Sequence, residues 1–137
     1  MNLSKLALVF LLLLPAACGR LQKTRECRRF AGMVNRGLDG IDAQLKVKSP
    51  ANYRAGSRSY TALSAEVRKS THGAPPEFAS EEFAQVFDAA ARATSSYADA
   101  LDAKDTLQQE EARRELERLS RHEQSLVLRV NGHCEGP

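Results

Sequence analysis

The chain has few of the residues on which catalytic and cofactor sites depend. It contains no tryptophan, three histidines and three cysteines, and aromatic residues make up 6% of its 137 residues. The three histidines stand in no Glu-x-x-His, His-Glu-x-x-His or haem-attachment spacing. No phosphate-binding glycine loop and no Gly-x-Ser-x-Gly sequence occurs. We therefore predict that the protein is not an enzyme and holds no cofactor and no metal.

A strong charge of either sign is also lacking. Lys and Arg number 20 and Asp and Glu number 17, which gives a net charge of +3. A nucleic-acid-binding domain usually has a clustered basic face, so we predict no nucleic-acid partner. The densest charge run is residues 110–118, where i,i+4 spacing pairs Glu110 with Arg114 and Glu117 with Arg121. We interpret this run as a solvated helix face, and a partner-binding face is the alternative.

The two-residue alternation of a half-buried strand is missing throughout. Apolar residues recur at spacings of three and four, which predicts amphipathic helices. The first expected helix covers residues 25–48, and the second runs from an N-cap at Ser49 to a stop at His72 and Gly73. The third begins at an N-cap at Ser80. The fourth runs from a cap at Asp105 to a stop at Asn131 and Gly132. The alternative for the last two is one continuous helix.

Each expected helix carries one apolar stripe. The inward residues are Cys27, Phe30, Val34, Leu38, Ile41 and Leu45, then Tyr53, Tyr60, Leu63 and Val67, then Phe83, Val86, Phe87, Ala90, Thr94, Tyr97 and Leu101, and finally Ala112, Leu116, Leu119, Leu126 and Val130. Glycines at 32, 37 and 40 weaken the first helix by about 1 kcal/mol each relative to Ala. They indicate either a break near residues 37–40 or a neighbouring helix that approaches closely.

The N-terminus has the composition of an export signal. Lys5 is followed by the unbroken apolar residues 6–14 and then by the small residues before Cys18, an order typical of secretory signal peptides. The apolar stretch 6–17 is shorter than the roughly 20 residues of a membrane-spanning helix. It also has no polar face, which argues against a helix packed on the domain. We predict that residues 1–17 are a signal peptide.

The segment that ends at Cys18 and Gly19, LPAACG in one-letter code, resembles the bacterial lipobox. In that family small residues precede an invariant Cys, which is acylated and becomes the first residue of the mature protein. Ala16, Ala17 and Cys18 match the pattern, whereas Pro15 stands where Leu is usual. The alternative is an ordinary signal peptidase that cuts after Gly19. The resemblance implies an exported lipoprotein with a lipid on Cys18. It favours the outer membrane, because Gly19 stands where an Asp would signal inner-membrane retention in enteric bacteria.

Cysteine number supports a lipidated Cys18. An odd cysteine in an exported chain requires an explanation, and a lipid on Cys18 leaves Cys27 and Cys134 to pair in an oxidising compartment. The alternative is two free thiols. The 120 residues after position 17 contain only 25 large apolar residues and 17 alanines, so we expect Ala to fill many core positions and a disulfide to add needed stability.

Four helices with short connections favour an all-α, up-down-up-down four-helix bundle over residues 27–137. In that topology the first helix begins at the end where the last helix finishes. Cys27 and Cys134 can then come within the roughly 7 Å between Cα atoms that a disulfide needs. We therefore predict a bundle whose ends are joined by this disulfide.

Residues 18–26 are predicted to be a lipidated tether that spans at most about 30 Å when extended. Five basic residues lie on it or directly after it: Arg20, Lys23, Arg25, Arg28 and Arg29. Near anionic headgroups each such charge contributes about 1 kcal/mol, so the group is a candidate membrane-proximal cluster. An ordinary polar linker is the alternative.

Together these features predict a non-enzymatic, lipid-anchored helical module of the periplasm or outer membrane that acts through an envelope protein partner. The alternative is a bundle that binds a small apolar ligand among Tyr53, Tyr60 and Tyr97. Tyrosines at helical spacing are, however, more often core residues with hydroxyls at the rim. An enzyme ranks third.

Overall fold

The computed structural model of the protein describes the backbone of residues 3–70 and 77–135 and the side chains of residues 19–70 and 80–135. Four helices make up this part of the chain, and it contains no strand: α1 Leu3–Leu45, α2 Pro50–Lys69, α3 Glu77–Asp102 and α4 Thr106–Glu135. The all-α prediction is confirmed. The predicted signal peptide and the side chain of Cys18 lie outside the residues with described side chains.

Two predicted helix starts are confirmed by their capping bonds. The Ser49 hydroxyl accepts a hydrogen bond from the backbone N–H of Asn52 at 3.2 Å, and Pro50 opens α2. Asp105 Oδ1 accepts from the backbone N–H groups of Leu107 and Gln108 at 3.1 and 3.0 Å. Since this second cap follows a tight turn, α3 and α4 are separate helices and the continuous alternative is wrong.

The turn before α4 depends on one residue with left-handed backbone. Lys104 has φ 55°, a conformation that non-glycine residues rarely adopt. It allows the N–H of Asp105 to reach back to the carbonyl of Ala100 at 2.9 Å. The chain therefore reverses within three residues, which places α4 antiparallel to α3.

Several predicted helix ends are wrong. α1 begins far before residue 25 and ends at Leu45, and α2 ends at Lys69 with Ser70 as its C-cap, before His72 and Gly73, which lie outside the described residues. Ser80 is not an N-cap, because α3 already begins at Glu77 and the Ser80 side chain is fully buried. Its position three residues before Phe83 directs it to the core.

The last helix also runs past its predicted stop. Asn131 and Gly132 lie within α4, which ends at Glu135. The preference of these two residues against a helix amounts to roughly 1 kcal/mol each. Buried Val130 and the half-buried Cys134, one turn apart on the same face, hold this last turn against the rest of the protein. Tertiary contacts thus override the local preference.

The predicted disulfide is present. Cys27 and Cys134 are bonded, with their Cα atoms 6.0 Å apart. Consecutive helices pack against each other along the bundle, whereas α1 and α4 make few contacts. The bridge therefore joins the most thinly packed of the neighbouring helix pairs.

The predicted apolar stripes form the core, and alanine occupies many core positions. Its largest fully buried side chains include Phe83, Phe87, Ile41 and Leu126. Edge-to-face packing of Phe30 on Phe83, with ring centroids 5.7 Å apart, connects α1 to α3. Seven alanines are buried: Ala84, Ala90, Ala91, Ala93, Ala98, Ala100 and Ala112. Small residues at these sites allow α3 to pack closely against its neighbours.

Glycine produces a close approach between α1 and α2. A Cβ on Gly37 would lie 2.5 Å from Leu63 Cδ1, and one on Gly56 would lie 2.8 Å from Leu45 Cδ2. By contrast, no atom lies within 4 Å of a Cβ built on Gly40. Because α1 is continuous through residues 37–40, the break is wrong, and the close-approach interpretation holds for Gly37.

Arginines on α2 connect it to acidic residues of α3. Arg54 bonds both Asp99 and Asp102, at 2.9 and 2.6 Å. At the C-terminal end of α2, Arg68 bonds both Glu81 and Asp88. Each pair is exposed and contributes about 0–1 kcal/mol, so the pairs fix the register of the two helices more than they stabilise the fold. Among residues with described side chains, no ion pair involves α1.

Removing the bridge should strongly destabilise the bundle. The bridge closes a loop with a sequence separation of 107, for which chain entropy predicts about 4.7 kcal/mol, reduced in practice by native strain. We expect Cys27→Ser with Cys134→Ser to keep its helical circular dichroism but to melt at least about 10 °C lower. Cys18→Ser is the control and should melt like the wild type. Equal melting of all three proteins would show that the bridge is dispensable.

The two glycines of α1 should respond oppositely to the same substitution. Gly40→Ala gains helix propensity in open space and should stabilise the protein by about 0.5–1 kcal/mol. In Gly37→Ala the new methyl group overlaps buried Leu63, an overpacking that costs about 1–3 kcal/mol and cancels or reverses the gain. Urea unfolding of both variants measures the difference. Stabilisation of equal size in both would contradict the close approach.

Candidate functional site

Residues 18–26 of α1 lie before the disulfide and form a helical arm, the name used for them below. None of residues 19–26 is buried, whereas Cys27 is 7% exposed. α4 ends at Glu135, one residue beyond the disulfide, and so does not accompany the arm. With a rise of about 1.5 Å per residue, a helical arm sets Cys18 about 14 Å from Cys27 along the axis. The tether is thus helical and shorter than its extended limit.

The predicted basic cluster lies on this arm and on the turn that follows it. At 100° per residue, Lys23 shares the side of Cys27, while Arg25 and Arg29 lie on another side. The five charges therefore surround much of the helix instead of forming one face. In the part of the chain with described side chains, none of the five forms an ion pair.

Charge is segregated along the chain. Residues 19–36 contain six basic residues and one acidic residue, whereas residues 37–137 contain 13 basic and 16 acidic residues. The first segment therefore carries +5 and the second −3. Although the whole protein is nearly balanced, residues 19–36 of α1 are strongly positive.

An open cleft lies between α1 and α2 at the same end. Its volume is about 420 Å³. The lining residues are Glu26, Arg29, Phe30, Met33, Arg36, Glu66, Lys69 and Ser70. Of these residues only Arg29 belongs to a site predicted from the sequence. The spacing of Arg29, Met33 and Arg36 marks one flank of α1, but only the packing shows that the end of α2 faces it.

A half-buried acid lies near the thinly packed seam between α1 and α4. Burial raises the pKa of Glu123 above its ordinary value, and the negative charge of Asp42 raises it further. Burial, with Glu123 and Asp42 as additional causes, also raises the pKa of Tyr60 to about 12. Glu123 of α4, Asp42 of α1 and Tyr60 of α2 thus lie where a negative charge on one disfavours a negative charge on another.

The three tyrosines pack with other aromatic rings. Tyr53 and Tyr97 meet edge to face with centroids 4.8 Å apart, and Tyr60 lies 6.3 Å from Phe87. None of them lines the α1–α2 cleft or a second open cleft of about 500 Å³ on the surface of α3 and α4. The tyrosines therefore pack as core residues, as expected of tyrosines at helical spacing.

The charge run on α4 forms pairs within its own helix. Glu110 bonds Arg113 at 2.7 Å and Arg114 at 3.2 Å, which confirms the predicted Glu110–Arg114 pair. Glu117 bonds Arg113, not Arg121 as predicted. Hydrogen bonds from Arg113 and Arg114 lower the pKa of Glu110 to about 2. These contacts support the solvated-face interpretation, because the charges neutralise one another along the helix.

The described side chains also bear on metal sites and membrane-spanning helices. No group of three or more His, Cys, Asp or Glu residues is arranged there to hold a metal ion. Within the same residues, no helix has an apolar stretch long enough to cross a membrane. Comparison with protein families, curated proteins and solved structures finds no match to this chain.

The raised pKa of Glu123 predicts a pH-dependent substitution effect. Because the folded protein binds this proton more tightly than the unfolded chain, stability is full below the ordinary Glu pKa and is lost as pH rises through the folded value. We expect Glu123→Gln to raise the melting temperature at neutral pH and to change it little near about pH 4. Exposed Glu111→Gln on the same helix is the control. A gain that is equal at both pH values would contradict a buried charge.

Proposed function

We propose that this protein is a non-enzymatic, lipid-anchored module of the bacterial cell envelope. In this proposal residues 1–17 are removed on export, Cys18 is acylated, and the bundle of residues 27–137 acts through contacts with an envelope protein. The outer membrane is the proposed location. The observation that carries the proposal is the pairing of Cys27 with Cys134.

The disulfide supports export and leaves one cysteine over. Disulfides persist in oxidising compartments such as the periplasm and are rare in the cytosol. With Cys27 and Cys134 paired, Cys18 is the third and remaining cysteine of the chain. It directly follows two alanines and an apolar stretch, the setting in which the lipobox resemblance implies acylation. The structure thus pairs Cys27 with Cys134, and the proposal attaches the lipid to Cys18.

The form of the arm also suits an anchor. A helix that starts at an acylated Cys18 would hold the bundle only about 14 Å from the lipid attachment point. Basic side chains directed around much of the arm can meet headgroups on several sides, as expected for a helix that stands upright in the headgroup layer. A helix lying flat on the surface would instead need one apolar and one basic face.

The short distance between the lipid attachment point and the bundle limits where the bundle can meet partners. A single acyl signal binds membranes weakly, and stable anchoring takes further chains or a polybasic segment. The charge of +5 over residues 19–36 provides such a segment. The bundle is therefore proposed to meet partners close to the membrane surface and not deep in the surrounding compartment.

Lipid attachment is tested by metabolic labelling. Cells that express the full chain and grow with a clickable palmitate analogue should label the wild type but not Cys18→Ser. Cys27→Ser with Cys134→Ser is the matched control and should keep its label, because the proposed lipid is on Cys18 alone. Equal labelling of wild type and Cys18→Ser, or labelling of neither, would overturn the proposal.

A further inference from the structure

The α1–α2 cleft contains three cations that form no ion pair with any described side chain. Arg29 and Arg36 come from α1 and Lys69 comes from the last turn of α2. All three side chains are exposed, and none forms an ion pair with a described side chain. This differs from Arg54 and Arg68 on α2, each of which bonds two carboxylates. The cleft cations are thus available to an anion from outside the protein.

Two carboxylates also line the cleft and limit what it can accept. Glu66 faces it from α2, and Glu26 faces it from α1 while accepting a hydrogen bond from Gln22 at 3.1 Å. The five charged groups sum to +1. A singly charged anion matches this balance better than a strongly charged polyanion, and hydrogen bonds from Arg to a phosphate oxygen add direction to the attraction.

The base of the cleft is apolar. Phe30 and Met33 line it and are only 3% and 8% exposed, so the cleft joins a cationic rim to hydrocarbon and sulfur surface. An anion with an attached apolar or glycerol portion can use both parts, whereas free inorganic phosphate can use only the rim. Met is also the side chain that adapts best to irregular apolar groups.

The position of the cleft selects the source of such an anion. Arg29 lies two residues beyond Cys27, on the same helix as the arm, and Lys69 lies in the last turn of α2 facing it. If Cys18 is anchored as proposed, the end of the cleft at Glu26 and Arg29 is the end nearest the membrane, about 17 Å along the helix from Cys18. We infer that the α1–α2 cleft binds the phosphodiester headgroup of a single anionic phospholipid, with Arg29, Arg36 and Lys69 as phosphate ligands.

This inference rests on the proposed anchoring, and native mass spectrometry can test the two separately. The full chain, purified from envelopes in a non-ionic detergent, is titrated with dioleoylphosphatidylglycerol, with zwitterionic dioleoylphosphatidylcholine, or with inorganic phosphate. We expect one phosphatidylglycerol adduct that survives activation, and about tenfold weaker binding by Arg36→Gln with Lys69→Gln. The mass of the protein before titration reports acylation of Cys18 independently of any adduct.

The matched control removes the same charges elsewhere. Lys48→Gln with Arg58→Gln changes one Lys and one Arg on exposed positions away from the cleft and should bind within about twofold of the wild type. Circular dichroism melting shows that both double variants are folded. Equal loss in the two double variants would indicate general charge attraction and overturn the inference. Adducts as stable with phosphatidylcholine or inorganic phosphate would overturn it as well.

Discussion

The bond between Cys27 and Cys134 closes a ring of helices that packing joins firmly only along consecutive pairs. α2 packs against both of its chain neighbours, and α3 does the same, but α1 and α4 meet along a thin seam that also contains half-buried Glu123. Without the bond, separating these helices would expose little apolar surface. With it, the arm and the C-terminal turn of α4 are fixed at one end of the molecule. The bond also holds the C-terminal turn of α4 beside the point where the arm leaves the packed part of α1.

A small apolar content is compatible with this fold because small residues shorten the distances between helices. Gly37 and Gly56 let α1 and α2 approach until leucine side chains fill the space a Cβ would take, and buried alanines do the same along α3. Glycine weakens each helix locally, and tertiary contact offsets that loss. The result is an amphipathic bundle with few large side chains. Its stability therefore relies more than usual on a covalent bond.

Ion pairing differs between α1 and the other three helices. α2, α3 and α4 neutralise much of their charge through arginine–carboxylate pairs, whereas the described part of α1 takes part in none. Residues 19–36 of α1 carry +5, whereas the rest of the chain after them is slightly negative. An anionic surface attracts such a positive segment. The proposed anchor at Cys18 directly precedes this segment, and the proposed lipid-binding cleft contains Arg29 and Arg36 from it.

The sequence by itself determined the helical class, the inward stripes, the caps at Ser49 and Asp105 and the pairing of Cys27 with Cys134, because periodicity, capping and cysteine position are local or countable properties. It misplaced the ends of α2 and α4 and the role of Ser80, since a preference of about 1 kcal/mol per residue yields to tertiary packing. The cleft was not predictable. Arg36 and Lys69 are 33 positions apart, and only the antiparallel packing of α1 on α2, with the close approach at Gly37, sets which residues face each other across it.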